Sequence, residues 1–130
     1  MEEGVLVDSS YFIRHFRTGI DPFKVLEEAD EIYEFFSCGV VKTEVCRGVR
    51  TPKLLERTRG LFEVMCWVPT TDQVWDRVLE LAWNLGRRGI TMQVTDMVIA
   101  VSALTVDAAV LTLDSDFDDV PGLRVIHSLD

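Results

Sequence analysis

Histidine, cysteine and basic side chains are all scarce in this chain, and each scarcity excludes something. The 2 histidines, His15 and His127, lie at opposite ends of 130 residues, so a histidine base or a histidine-rich metal site has no support. The 3 cysteines, Cys38, Cys46 and Cys66, are odd in number and form no C-x-x-C pair. That argues against a disulfide framework or a zinc site and for buried free thiols. Apolar runs are short: residues 98–101 (VIAV) and 108–111 (AAVL) fall far below the ~20 residues a membrane helix requires. The chain opens Met1-Glu2-Glu3, with acids where a secretory signal carries lysine or arginine. The expectation is a cytoplasmic protein without membrane association. Repeats, low-complexity tracts and linkers are absent, and 8 glycines exclude collagen. At 48% hydrophobic, the chain is not disordered, and its length suits a single domain over residues 1–130.

What is present is an alternation of strand-like and helix-like segments. Residues 4–8 (GVLVD) read as a buried strand ending in an acid, and residues 9–17 as a helix stopped by Gly19. Pro22 opens a short helix to residue 30, with Asp21 as its cap. Residues 34–38 read as the second strand, residues 40–48 as a helix, and residues 53–65 as another opened by Pro52. Residues 66–68 suit a short edge strand. Thr71 or Asp72 then caps a long amphipathic helix ended by Gly86 or Gly89. Residues 95–104 read as a helix, 108–113 as a buried strand, 114–119 as an acidic turn and 123–127 as a last strand. Apolar strands separated by helices predict a mostly parallel sheet inside a three-layer α/β/α sandwich. Ligands of such folds bind at the carboxyl ends of the strands.

The acids fall at those ends. Asp8 ends the first strand and Asp114 follows the strand at 108–113. Asp96 opens the helix before that strand, and Glu44 lies one turn into the helix after the second strand. Taken singly, each has a plain structural role: Asp8 and Asp114 as caps, Asp96 on a helix dipole, Glu44 as a solvated residue. Taken together, converging carboxylates resist joint ionisation unless protonated or joined by a cation. Oxygen ligands without histidine or cysteine suit Mg²⁺ or Mn²⁺, the usual machinery of phosphoryl chemistry.

Three segments resemble the PIN-domain ribonucleases, and within them the VapC-type toxins of type II toxin–antitoxin pairs. They are Val5-Leu6-Val7-Asp8-Ser9-Ser10, Thr43-Glu44-Val45-Cys46-Arg47-Gly48, and the stretch from Thr95 to Phe117 containing Asp96, Ile99-Ala100, Ala103, Leu111-Thr112 and Asp114-x-Asp116-Phe117. The resemblance implies an acidic, metal-binding quartet of Asp8, Glu44, Asp96 and Asp114, with Asp116 as a further acid near the metal. Ser9 and Thr112 match hydroxyl positions beside the first and fourth acids. The implied activity is Mg²⁺-dependent endonucleolytic cleavage of single-stranded or structured RNA, with water attacking in line. Implied partners are an antitoxin, which lays a peptide with arginine or lysine into the acidic groove, and a second copy of the chain. Residues 35–38 and 90–95 depart from the family's usual pattern.

A formal charge of −9 is a poor footprint for nucleic acid, yet its distribution is uneven. Lys42, Arg47, Arg50, Lys53, Arg57 and Arg59 give residues 42–59 a charge of +4 against Glu44 and Glu56, leaving −13 elsewhere. Arg47 and Arg50 are the expected RNA contacts, Arg14 and Arg17 join them, and a solvated helix face is the plain alternative. Trp67, Trp75 and Trp83 suit a core, the commoner role, or a dimer interface. A catalytically silent PIN-like binding module remains an alternative. A phospho-accepting receiver domain is a weaker one, since Asp8 stands alone and no lysine follows Lys53; a haloacid-dehalogenase-like phosphatase would need D-x-D-x-T where Asp8-Ser9-Ser10-Tyr11 stands.

Overall fold

A computed structural model describes residues 2–129 of the chain. The domain expected over 1–130 and the opening Met1 thus extend to Met1 and Asp130, which lie outside the described residues. In order the elements are β1 (Glu3–Val7), α1 (Ser9–Arg17), α2 (Pro22–Glu28), β2 (Tyr33–Ser37), α3 (Gly39–Cys46), α4 (Pro52–Phe62), β3 (Cys66–Trp67), α5 (Asp72–Arg87), α6 (Val94–Thr105), β4 (Ala109–Leu111), a 3₁₀ turn (Ser115–Asp119) and β5 (Val125–Ile126). The architecture is the expected α/β fold, a five-stranded sheet flanked by six helices, and every strand pairing is parallel.

Local chemistry sets most boundaries. Asp21 accepts the Phe23 amide at 3.0 Å ahead of Pro22 at the first turn of α2. Thr51 caps α4 the same way on Leu54, and Thr71, rather than Asp72, caps α5 on Val74. The chain leaves α5 through Gly89, whose φ of +72° is open to glycine without strain. The strands at 108–113 and 123–127 are shorter than expected: regular pairing covers Ala109–Leu111 and Val125–Ile126, and beyond it Thr112 still donates its amide to the Ile126 carbonyl while its side chain bonds Asp8 and Asp114.

Strand residues alternate between the two sheet faces. Val5, Leu6 and Val7 are nevertheless all fully buried, as are Ala109, Val110 and Leu111, so helices cover both faces. On one side Phe12, Phe23 and Phe62 of α1, α2 and α4 form an aromatic cluster with ring centroids 5.2 Å apart. Helix α6 is buried continuously from Met97 to Ala103 and packs against α5, α3, β1 and β4. A helix enclosed on all sides needs no polar face, which is why residues 95–104 show no amphipathic pattern.

Two expectations about burial fail. Among the free thiols Cys38 is buried, but Cys46 is only half-buried and Cys66 is exposed on the edge strand. The tryptophans are not core residues: Trp67, Trp75 and Trp83 are 47%, 46% and 58% exposed. In α5 the buried stripe runs through Val74, Val78 and Leu85, and Trp75 and Trp83 lie one residue round the helix from it or beyond, facing outward with Leu79. No helix among the described residues is long and apolar enough to cross a membrane.

Candidate metal centre

The strand order β3-β2-β1-β4-β5 reverses direction at β1, so a crevice opens at the carboxyl ends of β1 and β4. Val7 pairs with Leu111, and the Asp8 amide donates to the Leu111 carbonyl at 2.9 Å. The ladder therefore brings Asp8 against Thr112 across 104 positions of sequence.

Asp8 is 3% exposed and occupies the N-cap position of α1 without using its carboxylate as a cap. Its oxygens are engaged elsewhere. Oδ2 accepts from Ser10 Oγ at 2.7 Å and from Thr112 Oγ1 at 2.9 Å. Those hydroxyls in turn accept the amides of Leu113 and Asp114 at 3.2 and 3.0 Å. Each hydroxyl has one proton, so both protons are committed to Oδ2. The other oxygen, Oδ1, has only a 3.5 Å contact with Ser9 Oγ, whose better partner is Glu44 Oε1 at 3.0 Å. The carboxylate is thus asymmetric: Oδ2 takes two hydroxyl donors and Oδ1 only the long contact with Ser9.

Asp96 lies in the first turn of α6, and Asp114 precedes the 3₁₀ turn, where its Oδ1 accepts the Asp116 amide at 3.1 Å. One carboxylate oxygen from each of Asp96, Asp114 and Asp116 fits within 4.8 Å of the others. A helix N-terminus favours an anion at Asp96 by a fraction of a kcal/mol to about 1. It loses here. Burial, then the charges of Asp8, Asp114, Glu44 and Asp116, push the Asp96 carboxyl up to about 6. The charges of the other four acids thus add at Asp96, while Asp96, Asp114 and Asp116 are the three that bring oxygens together. The ion pairs among the described residues, Arg59–Glu56 and Arg124–Glu3, leave every one of them uncompensated. A hard divalent cation fits this donor set: all oxygen, no histidine or cysteine, with a concentration of negative charge that only a cation or a proton relieves.

The acids open into a cleft of ≈ 830 Å³ lined by Asp8, Asp96, Asp114 and Asp116, with Arg14 and Arg17 of α1 on its wall. Glu44 reaches the centre through Ser9 and stands outside both the cleft lining and the group of three carboxylates. Arg47 and Arg50 are exposed at and beyond the end of α3 and do not line the cleft. Ser10 has no assigned role in the sequence reading. Its only signal was the doubled serine after Asp8, and its partners Thr112 and Leu113 are 102 and 103 positions away.

The sequence profile of the PIN domain matches residues 5–123. No curated protein matches the chain significantly in sequence. Solved structures do match in fold. A chain of the DNA-bound VapBC from Salmonella typhimurium superposes with a TM-score of 0.77 at 17% identity, covering 97% of this chain and 98% of that one. A toxin–antitoxin complex from Klebsiella pneumoniae gives 0.71 at 18%, covering 94% and 95%. The sarcin–ricin loop-cleaving toxin VapC20 of Mycobacterium tuberculosis gives 0.66 at 12%, covering 92% and 98%. Profile and fold agree with the acid arrangement: this chain belongs to the PIN-domain family.

Proposed function

We propose that the chain is a Mg²⁺- or Mn²⁺-dependent endoribonuclease and the toxin of a VapC-type pair. The observation that carries this reading is the group of three carboxylates, Asp96, Asp114 and Asp116, within reach of one cation at the switch point of the sheet, with Asp8 lining the same cleft. Asp96, Asp114 and Asp116 would hold the ion, with Asp8 lining the same cleft. Bound there, the ion supplies acidified water and charge neutralisation at phosphate oxygens. Asp8 is fixed for this task by Ser10 and Thr112, which prevent its rotation. Glu44, which accepts from Ser9 and lies outside the group of three, would orient that hydroxyl and add negative charge behind the site. Arg14 and Arg17 bind backbone phosphates on the opposite wall, with Arg47 and Arg50 further along the strand.

An antitoxin inhibits by placing a basic side chain among the acids, where it would supply the missing positive charge. The outward row Trp75, Leu79 and Trp83 of α5, with Leu79 68% exposed, is the contact to a second copy. The test is cleavage of single-stranded RNA with Mg²⁺, with EDTA, and by Asp8→Asn and Asp114→Asn. Cleavage lost in EDTA and in both variants, with circular dichroism unchanged, is expected. Full activity in Asp8→Asn overturns the assignment of the centre. A chain that binds Mn²⁺ and RNA yet cuts nothing is a binding module instead.

A further inference from the structure

A second feature lies on the same carboxyl edge of the sheet. Trp67 ends β3 and pairs with Ser37, which stands one step beyond the Leu6–Phe36 pair and hence beside Val7. Trp67, Ser37, Val7 and Leu111 therefore form one row across the sheet, and at about 4.8 Å per strand the Trp67 backbone is roughly 10 Å from that of Val7. Its indole is 47% exposed, which a core role does not explain. Lys42 Nζ stands 5.6 Å from the ring centroid. The two side chains line a groove of ≈ 240 Å³ with Phe62, Met65 and Glu63. Helix α3 thus carries Glu44 toward the acids and Lys42 toward the indole.

We infer that Trp67 and Lys42 form a nucleobase subsite, in which one unpaired base of the RNA stacks on the indole while Lys42 contacts the adjoining phosphate. The chemistry is that of single-strand binding generally, an aromatic face for the base and a cation for the backbone. Its position on the same carboxyl edge of the sheet as the acids makes it a site for a base of the bound strand and a determinant of which strand conformations are cut. This rests on the ribonuclease reading above for its substrate, while its test does not require cleavage.

The experiment uses the full chain carrying Trp75→Phe and Trp83→Phe, which leaves Trp67 as the only one of 3 tryptophans. Emission is followed in EDTA while short oligouridylate or oligoadenylate is added. Saturable quenching is expected. In the otherwise unchanged chain Trp67→Ala should weaken binding about 5- to 150-fold, the range of base–aromatic stacking, and Trp67→Phe should recover part of it. Lys42→Gln should reduce the log–log salt slope by about 0.7. Binding without quenching, together with equal affinity in Trp67→Ala, overturns the subsite. So does a Trp67→Ala chain that passes from dimer to monomer in sedimentation with RNA affinity unchanged, which would assign the indole to contact between copies. Cleavage in Mg²⁺ is scored separately. Quenching without any cleavage sinks the nuclease reading and leaves the subsite standing, whereas cleavage with no quenching does the reverse.

Discussion

Replacing Asp96 with asparagine should stabilise the metal-free protein at neutral pH, and the sign follows from the site. The Asp96 carboxyl rises from 3.8 to about 6 on folding, because burial and four neighbouring acids disfavour its charge. A raised carboxyl means the folded state binds the proton more tightly than the unfolded one. Below pH 4 both states are protonated and Asp96 carries no penalty. Between about 4 and 6 stability falls as pH rises, and above 6 the whole penalty is present. Two units correspond to about 3 kcal/mol at most. Partial exposure of the side chain screens this to on the order of 1–2 kcal/mol. Asparagine has the same shape and no charge. In EDTA at pH 7.5, Asp96→Asn should melt about 3–10 °C above the wild type, with the gap closing near pH 4. Excess Mg²⁺ or Mn²⁺ should reverse the order, since a cation at 100 times its dissociation constant stabilises only the chain that binds it, by about 2.7 kcal/mol. Thermal melts at the two pH values, with and without the ion, give the four numbers needed. A variant no more stable than wild type at pH 7.5, or a gap independent of pH, would refute the argument that these acids repel at one point.

Thr112→Val should cost about 1–3 kcal/mol in urea denaturation, since it deprives Asp8 of a donor and leaves the Asp114 amide without its acceptor; a cost under about 0.5 kcal/mol would mean the hydroxyl clamp contributes little. Arg14→Gln and Arg17→Gln should each flatten the salt dependence of RNA binding by about 0.7 in log–log slope, more than Arg47→Gln or Arg50→Gln. The opposite ranking would return the RNA path to the end of α3. Leu79→Lys should yield a monomer in sedimentation velocity, and a wild-type chain that already sediments as a monomer would remove α5 as the contact between copies.

Where signals are local the sequence was legible. The cap at Asp21 before Pro22, the bounds of α1 and the edge position of residues 66 and 67 follow from neighbouring residues alone. So does the placement of Asp8 and Asp114 at strand ends, because apolar runs that stop at an acid are visible in one dimension. What depended on partners far along the chain was not legible. Ser10 reaches Asp8 locally, but its bonds to Thr112 and Leu113, which tie it to the end of β4, join residues 102 and 103 positions apart. Arg14 and Arg17 gain the cleft wall because α1 follows Asp8 directly, while no residue of the denser basic run at 42–59 lines that cleft. Helix α5 has apolar residues over a wide arc, and nothing local says which edge of that arc is covered. The packing of α6 chose Val74 and Val78, leaving Trp75 and Trp83 outside. Cys66 was misjudged for a similar reason, as an edge strand of two residues has little above it.

The acids that meet at the crevice come from β1, α3, α6 and the turn after β4, with the last supplied at residues 114 and 116 of 130. No fragment ending before β4 owns the complete ligand set. The centre therefore belongs to the sheet as a whole, and cutting away the segment from β4 onward removes two of its acids together with two of the five strands.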